Sequence, residues 1–277
     1  FRPTVFFARW YEHWHNDALL GKVTPTPEEI EQIKAANGGR RELIGENVIK
    51  MCKLADVTFL ALHGDMGENG QLQATLDSFG IRYTGSGYVG SLLAMDKDLT
   101  KQILSRAGVP TAPWVFCDLT KDTTEAADRI EAELGYPVVI KPCSGGSSVG
   151  VSMADNRAEL TAAIEKCATY ETTLLAERRI MGRELTVSYL GGEVLPAVEI
   201  IPKNAYFDYE AKYQSEFVTE VCPAQIEESV WHEMGKAAVQ LHKALGLSVY
   251  SRTDFLLDGE GKPWCLEVNT LPGMTPT

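Results

Sequence analysis

The stretch RTDFLLDGEGKPWCLEVNT, residues 252–270, constrains the fold more than any other part of the chain. Two apolar-rich runs flank DGEGK, whose glycines and aspartate favour a tight reversal, so the segment reads as an antiparallel hairpin. With residues 259–262 as the loop, Asp258 faces Pro263. Counting back places Asp254 opposite Glu267 and Arg252 opposite Asn269. A two-residue loop would shift the pairing by two and leave all four side chains on one face. Phe255, Leu266 and Val268 point the other way, as core. Two carboxylates that close repel unless a cation lies between them. Carboxylate and amide oxygens are hard ligands suited to Mg2+, which keeps waters and shares its shell with phosphate. A solvated hairpin face is the ordinary alternative. The flanking core residues and the Pro272-Gly273 turn that follows favour the site.

Upstream, VTFLALHG from residue 57 is a short apolar run of the kind buried in a parallel sheet. GQLQATLDSFG has helical spacing and stops at Gly80, IRYTGSG is a strand, and 88–107 is helical. TAPWVFC, residues 123–134 and YPVVIKP read strand, helix, strand. A Gly/Ser loop, a helix at 157–168 and the strand TTLLAERR come next. A hairpin then turns on Gly191-Gly192, and a long amphipathic helix covers 226–245. In the first fifty residues, FRPTVFF reads as a strand and PTPEEIEQIKAA as a proline-led helix. The expected class is α/β at the start and α+β afterwards. A formal charge of −12 argues against general nucleic-acid binding. No apolar run is long enough to span a membrane, and no secretion signal is visible. The six cysteines are scattered without a C-x-x-C pair, which argues against zinc or a disulfide framework and for a reducing cytoplasm.

Other positions carry chemistry more weakly. Lys141 ends an apolar strand directly before CSGGSSVG, where freed backbone N–H groups can cradle phosphate; taken alone, such a loop is more often a turn. Lys97 and Lys101 lie one helical turn apart, and exposed lysines are the plain reading. Glu177 and Glu184 bracket a short connection that can hold a ligand by its edges, or they are surface glutamates. His63 follows the 57–62 run at the ligand-facing end of an open sheet, with Glu68 close behind. The aromatic, charged segment NAYFDYEAKYQS, 204–215, is a lid over a site or a cover for the core.

From about residue 57 onward these pieces resemble the D-alanine–D-alanine ligases of the ATP-grasp superfamily. HGDMGENGQLQ, YTGSG, AMDKDLTK, VIKPCSGGSSVGV, AERRIMGRELTV, FDYEAKY, RTDF and LEVNTLPGMT carry the resemblance, in order. It implies an ATP-grasp architecture: an N-terminal open parallel-sheet domain (1–94), a central subdomain (95–175) and a C-terminal subdomain (176–277) with a lid at 203–217. It implies ATP and two Mg2+ ions, or Mn2+, acting with D-alanine as substrate, in the cytoplasm, for peptidoglycan precursor synthesis. Lys97, Lys141 and Lys212 would contact the phosphates, Glu177 the adenine amino group and Glu184 the ribose. Asp254, Glu267 and Asn269 would ligate the metals. Ser147 and Tyr213 would order the first D-alanine and the lid, with His63 and Glu68 on the amino-acid side. Arg252 and the Gly273 N–H would stabilise the tetrahedral oxyanion. Family members are often homodimers, and no nucleic acid or membrane partner is implied. Such ligases open with a strand, a glycine-rich loop and a Ser-x-Glu, a pattern not found in residues 1–62, and continue past PGMT to a serine. The same chemistry with D-serine or D-lactate as second substrate, a non-catalytic ATP-binding homologue, and another ATP-grasp carboxylate–amine ligase are the alternatives.

Overall fold

Apolar runs cut by glycine-rich turns give the second half of this chain mainly to antiparallel sheet. A computed structural model describes residues 44–62, 64–120, 122–146, 150–202 and 218–273, with positions 32 and 35. The strand and helix expected before residue 40, His63, Ser147 and the lid with Lys212 and Tyr213 lie outside the described residues. Residues 1–48 and 49–277 form two units, and both sheets belong to the second.

Helices lead into those sheets: α1 (Glu46–Leu54), which crosses the unit boundary, then α2 (Asp65–Glu68), α3 (Gln71–Ser78) and α4 (Tyr88–Met95). The fifth, α5 (Lys97–Ala107), follows at once. The helical stretch expected at 88–107 is broken at Asp96, whose side chain accepts the Leu99 N–H and caps α5. The run at 57–64 keeps its parallel sense but makes a single bridge, Thr58 to Tyr83. Val57 and Phe59 are more than half exposed, so a buried strand is not formed there among the described residues. Apolar composition alone does not supply the neighbours a ladder needs.

The next segment contains β1 (Trp114–Asp118), α6 (Thr123–Leu134), β2 (Val138–Pro142), β3 (Ser152–Ala154), α7 (Arg157–Ala168) and β4 (Thr173–Arg178). The strands form one antiparallel sheet in the order β1-β4-β2-β3. One face packs on α6 and α7 through Ile130, Ile140, Leu160, Ile164, Leu174 and Ala176, all buried. Alternation along the strands then sends Lys141 and Glu177 to the opposite face.

The remainder contains β5 (Gly182–Leu190), β6 (Glu193–Val194), β7 (Val198–Pro202), β8 (Val218–Val221), α8 (Glu228–Ala244), β9 (Tyr250–Asp258) and β10 (Pro263–Asn269). Gly191 and Gly192, both at positive φ, make the two-residue β5–β6 turn. The second sheet runs β10-β9-β5-β7-β8 and is also antiparallel. Leu185, Val187 and Phe255 on one face meet Met234 and Leu241 of α8 in a second core. The other face carries the polar residues.

Candidate active site

The polar face of the second sheet spans three strands. Thr186 on β5 pairs with Asp254 on β9, which pairs with Glu267 on β10; Arg252 pairs with Asn269 two residues along. The expected partners are therefore correct, but the path to them differs. Next to the turn, Pro263 faces Leu257, not Asp258, and Cys265 faces Phe255. Continued unchanged, that register would set Glu267 against Thr253, a core-face residue. A bulge between Cys265 and Glu267 absorbs one residue and returns Glu267 to Asp254. It also corrects the expected core: Cys265 is buried beside Phe255 and Val268, while Leu266 is only partly buried.

Asp254 is held from three sides. Thr186 Oγ1 donates to its Oδ1 at 2.7 Å and Asn269 Nδ2 to its Oδ2 at 2.9 Å. Arg252 donates to both oxygens at 3.0 Å, in a fork. Asp254 raises the Arg252 pKa above its usual value in spite of burial, which opposes it.

The first sheet supplies positive charge. Lys141 on β2 forms an ion pair with Glu177 Oε1, and Lys101 on α5 lies 2.9 Å from Oε2. Burial alone would raise the Glu177 pKa, but Lys141 and then Lys101 overcome it and hold the carboxyl at about 2. Burial also works to lower the Lys141 pKa, and Glu177, Glu267 and Glu184 together raise it. Lys97 donates to the Gly145 carbonyl at 2.7 Å, and Glu171 accepts the Ser144 N–H at 2.9 Å, so both anchor the start of the Gly/Ser loop. A cleft beside Lys97 and this loop is lined by Glu68, Lys97, Gly145, Gly146, Glu267 and Asn269.

Glu68 is buried and ties two backbone segments together. Its Oε2 accepts the Gly64 N–H at 2.6 Å and its Oε1 the Leu271 N–H at 3.3 Å, close to the turn that carries the exposed Gly273. Glu184 sits on the polar face of β5, opposite Leu256. Lys101, read from sequence as an exposed lysine, is instead 2% exposed. The signal was present: Lys101 shares a helical face with Thr100 and Leu104, both buried. Thr186 and Glu171 were not foreseen, and nothing in their local sequence marks them.

Among the described residues no group of three or more His, Cys, Asp or Glu side chains is arranged for a metal. The set here is different in kind: two carboxylates and an amide on adjacent strands, beside a cleft. That donor set fits Mg2+, whose remaining positions are filled by water and phosphate oxygen.

Two antiparallel α+β layers, with lysines on one, carboxylates on the other and a glycine-rich loop at the cleft, define the ATP-grasp class. Sequence models described as "D-ala D-ala ligase N-terminus" and "D-ala D-ala ligase C-terminus" match residues 4–86 and 103–277. The chain belongs to the D-alanine–D-alanine ligase family. It is 40% identical over 264 residues to the D-alanine–D-alanine ligase of Pediococcus pentosaceus, covering 94% of this chain and 71% of that one. The crystal structure of the VanG D-Ala:D-Ser ligase from Enterococcus faecalis superposes with a TM-score of 0.73 at 36% identity, over 80% of this chain and 65% of that one. The D-alanine–D-alanine ligase from Bacillus anthracis complexed with ATP gives 0.70 at 36% identity, over 83% and 73%. The relationship thus reaches back to residue 4, well before HGDMGENGQLQ, where the resemblance in motifs begins.

Proposed function

We propose that this chain joins two D-alanines into D-alanyl-D-alanine at the expense of ATP, supplying a precursor of peptidoglycan. The observation that carries the reading is the cleft itself, with Lys97 and the Gly/Ser loop on one side and Glu267 and Asn269 on the other, in a chain of this family. A carboxylate is a poor electrophile. In the proposed reaction one oxygen of the first D-alanine's carboxylate attacks the γ-phosphorus, ADP leaves, and an acyl phosphate forms. The amine of the second D-alanine then attacks that carbonyl, the C–O bond to phosphate breaks, and inorganic phosphate and a proton are released.

Lys97 and Lys141 place charge on the phosphates, and the Gly/Ser loop offers them backbone N–H groups. Mg2+ held by Asp254, Glu267 and Asn269 would neutralise charge on the phosphate oxygens. Arg252 has five N–H donors and gives only some of them to Asp254, which fixes the guanidinium while leaving others for the oxyanion. The Gly273 N–H is its proposed partner. Glu184 is assigned to the ribose, and Glu68 to holding the 271–273 turn in place. Ser147, Tyr213, His63 and Lys212 keep the substrate and phosphate roles that the resemblance implies, and 203–217 the role of lid. All six cysteines are free, which supports a reducing cytoplasm. In the three-part division we place β4 wholly in the central subdomain, because it pairs with β1 and β2.

Phosphate release from ATP, measured with and without D-alanine, tests the reading. D-alanine should stimulate release and yield the dipeptide, and no stimulation would refute a ligase. R252A should fold and lose about 3 to 4 kcal/mol of transition-state stabilisation, the usual scale for one oxyanion donor. The likeness to a D-Ala:D-Ser ligase makes D-serine and D-lactate the necessary control arms. Faster mixed-product or depsipeptide formation at neutral pH would replace D-alanine as the second substrate.

A further inference from the structure

Lys101 has no part in the proposed reaction, yet it is the least exposed charged side chain among the described residues, at 2%. Burying an ammonium is costly unless it is paired and fully hydrogen-bonded. Three groups lie around Nζ: Thr111 Oγ1 at 2.7 Å, the Ala112 carbonyl at 3.1 Å and Glu177 Oε2 at 2.9 Å. The Thr111 hydroxyl gives its own proton to the Cys265 carbonyl at 2.9 Å, so towards Lys101 it can only accept. Two protons of Nζ go to Thr111 and Ala112, and the Glu177 carboxylate lies at ion-pair distance from the same nitrogen, so Lys101 is a buried ammonium enclosed by acceptors. Burial lowers its pKa and Glu177 pulls it back up.

The consequence lies in the charge of the triad. Lys141 and Glu177 alone would make a neutral pair with little to offer a phosphate. Lys101 adds a positive charge behind the carboxylate. It also takes one of the two carboxylate oxygens, so that Oε1 alone faces Lys141. Each carboxylate oxygen accepts at two positions, so Glu177 can serve this triad and still meet the adenine amino group that the resemblance assigns to it. The anchor is firm, because Thr111 bridges Cys265 and the Cys265 N–H bonds the Pro110 carbonyl at 2.8 Å. That ties Lys101 to β10, two residues from Glu267.

We propose that Lys101 is a positioning residue for the nucleotide: acting through Glu177, it leaves the Lys101–Glu177–Lys141 triad one positive charge in surplus and directs that charge, on Lys141, at the phosphates. The inference rests on the ATP-dependent function proposed for this chain and goes beyond it.

The test compares MgATP with adenosine, which has the base and ribose but no phosphate, by direct titration into wild type, K101M and K101M/E177Q. K101M should weaken MgATP about tenfold, the scale of one charge-assisted contact, and leave adenosine unchanged. The double variant, with a neutral amide in place of the uncompensated carboxylate, should regain most of that affinity. An equal loss of adenosine binding would make Lys101 a merely structural cross-link and overturn the proposal. So would unchanged MgATP binding in K101M, or a double variant no better than the single. Should K101M fail to fold, the double variant decides: near-wild-type MgATP affinity supports the proposal and a tenfold loss overturns it. A wild type that binds no MgATP overturns both readings, whereas one that binds it equally with and without Lys101 overturns only this one.

Discussion

Val249 sits at φ 64, in the left-handed region, where a β-branched side chain is strained. It is 52% exposed, so little packing holds it there, and its carbonyl accepts the Gly191 N–H at 2.8 Å. V249G should therefore raise stability by about 1 kcal/mol, visible as a higher midpoint in thermal unfolding; a lower one would mean the strain reading is wrong. Glu177 gives a second prediction with a definite sign. Its folded pKa of about 2 lies below the ordinary 4.5, so its stabilisation is present above pH 4.5 and is lost as pH falls towards 2. E177Q should be less stable than wild type at pH 7, and the gap in urea unfolding should narrow between pH 4.5 and 2. A gap that stays constant across that window would count against the triad. The strain at Val249 was not legible from the sequence, and Glu177, though singled out there, gave no sign of its burial between two lysines. Backbone φ is invisible in a string of letters, and a carboxylate followed by two arginines in AERR looks like surface until the sheet turns it inward.

At the scale of elements the sequence was most readable where pattern and turn agree. The helices at 123–134 and 157–168, the Gly191-Gly192 turn and the last hairpin all follow from local rules. What local rules missed was the bulge before Glu267, because a one-residue insertion leaves the composition of both strands unchanged. The 57–64 run failed for the opposite reason: apolar composition promised a buried strand that the fold uses as one bridge. Gly182 shows how closely the site strands are set. It starts β5 opposite Asp258, and a Cβ there would lie 2.2 Å from the Leu257 carbonyl oxygen. Backbone cannot yield as a flexible side chain can, so G182A should cost about 1 to 3 kcal/mol through displaced strands. Because β5 carries Glu184 and Thr186, the same variant should weaken MgATP binding. Wild-type melting and affinity together would show that the approach is not tight.

For the whole molecule the decisive contrast is between an acidic chain, −12 overall, and a cleft that must receive a triphosphate. The general field repels such a ligand, so in the proposed function binding would depend on the local lysines and on a cation between carboxylates. Asp254 and Glu267 face each other across β9 and β10, and of the two Asp254 is already held by Arg252, Thr186 and Asn269. Glu267 lies within the electrostatic reach of Lys97, Lys141 and Arg252. Its replacement would remove a proposed metal ligand without breaking the Asp254 network, which makes it the cleaner probe. Saturating MgATP, at about a hundred times its Kd, should stabilise wild type by about 2.7 kcal/mol, or roughly 5 to 10 °C for a chain of this size. ATP with the metal chelated should give a much smaller shift. E267Q should melt close to the wild-type temperature without ligand, since relief of repulsion from Asp254 and loss of attraction to Lys97, Lys141 and Arg252 oppose each other. With ligand, it should show nearly the same shift whether or not Mg2+ is present. Retention of the full Mg2+-dependent shift in E267Q would remove Glu267 from the metal site and leave the last hairpin a charged face without its cation.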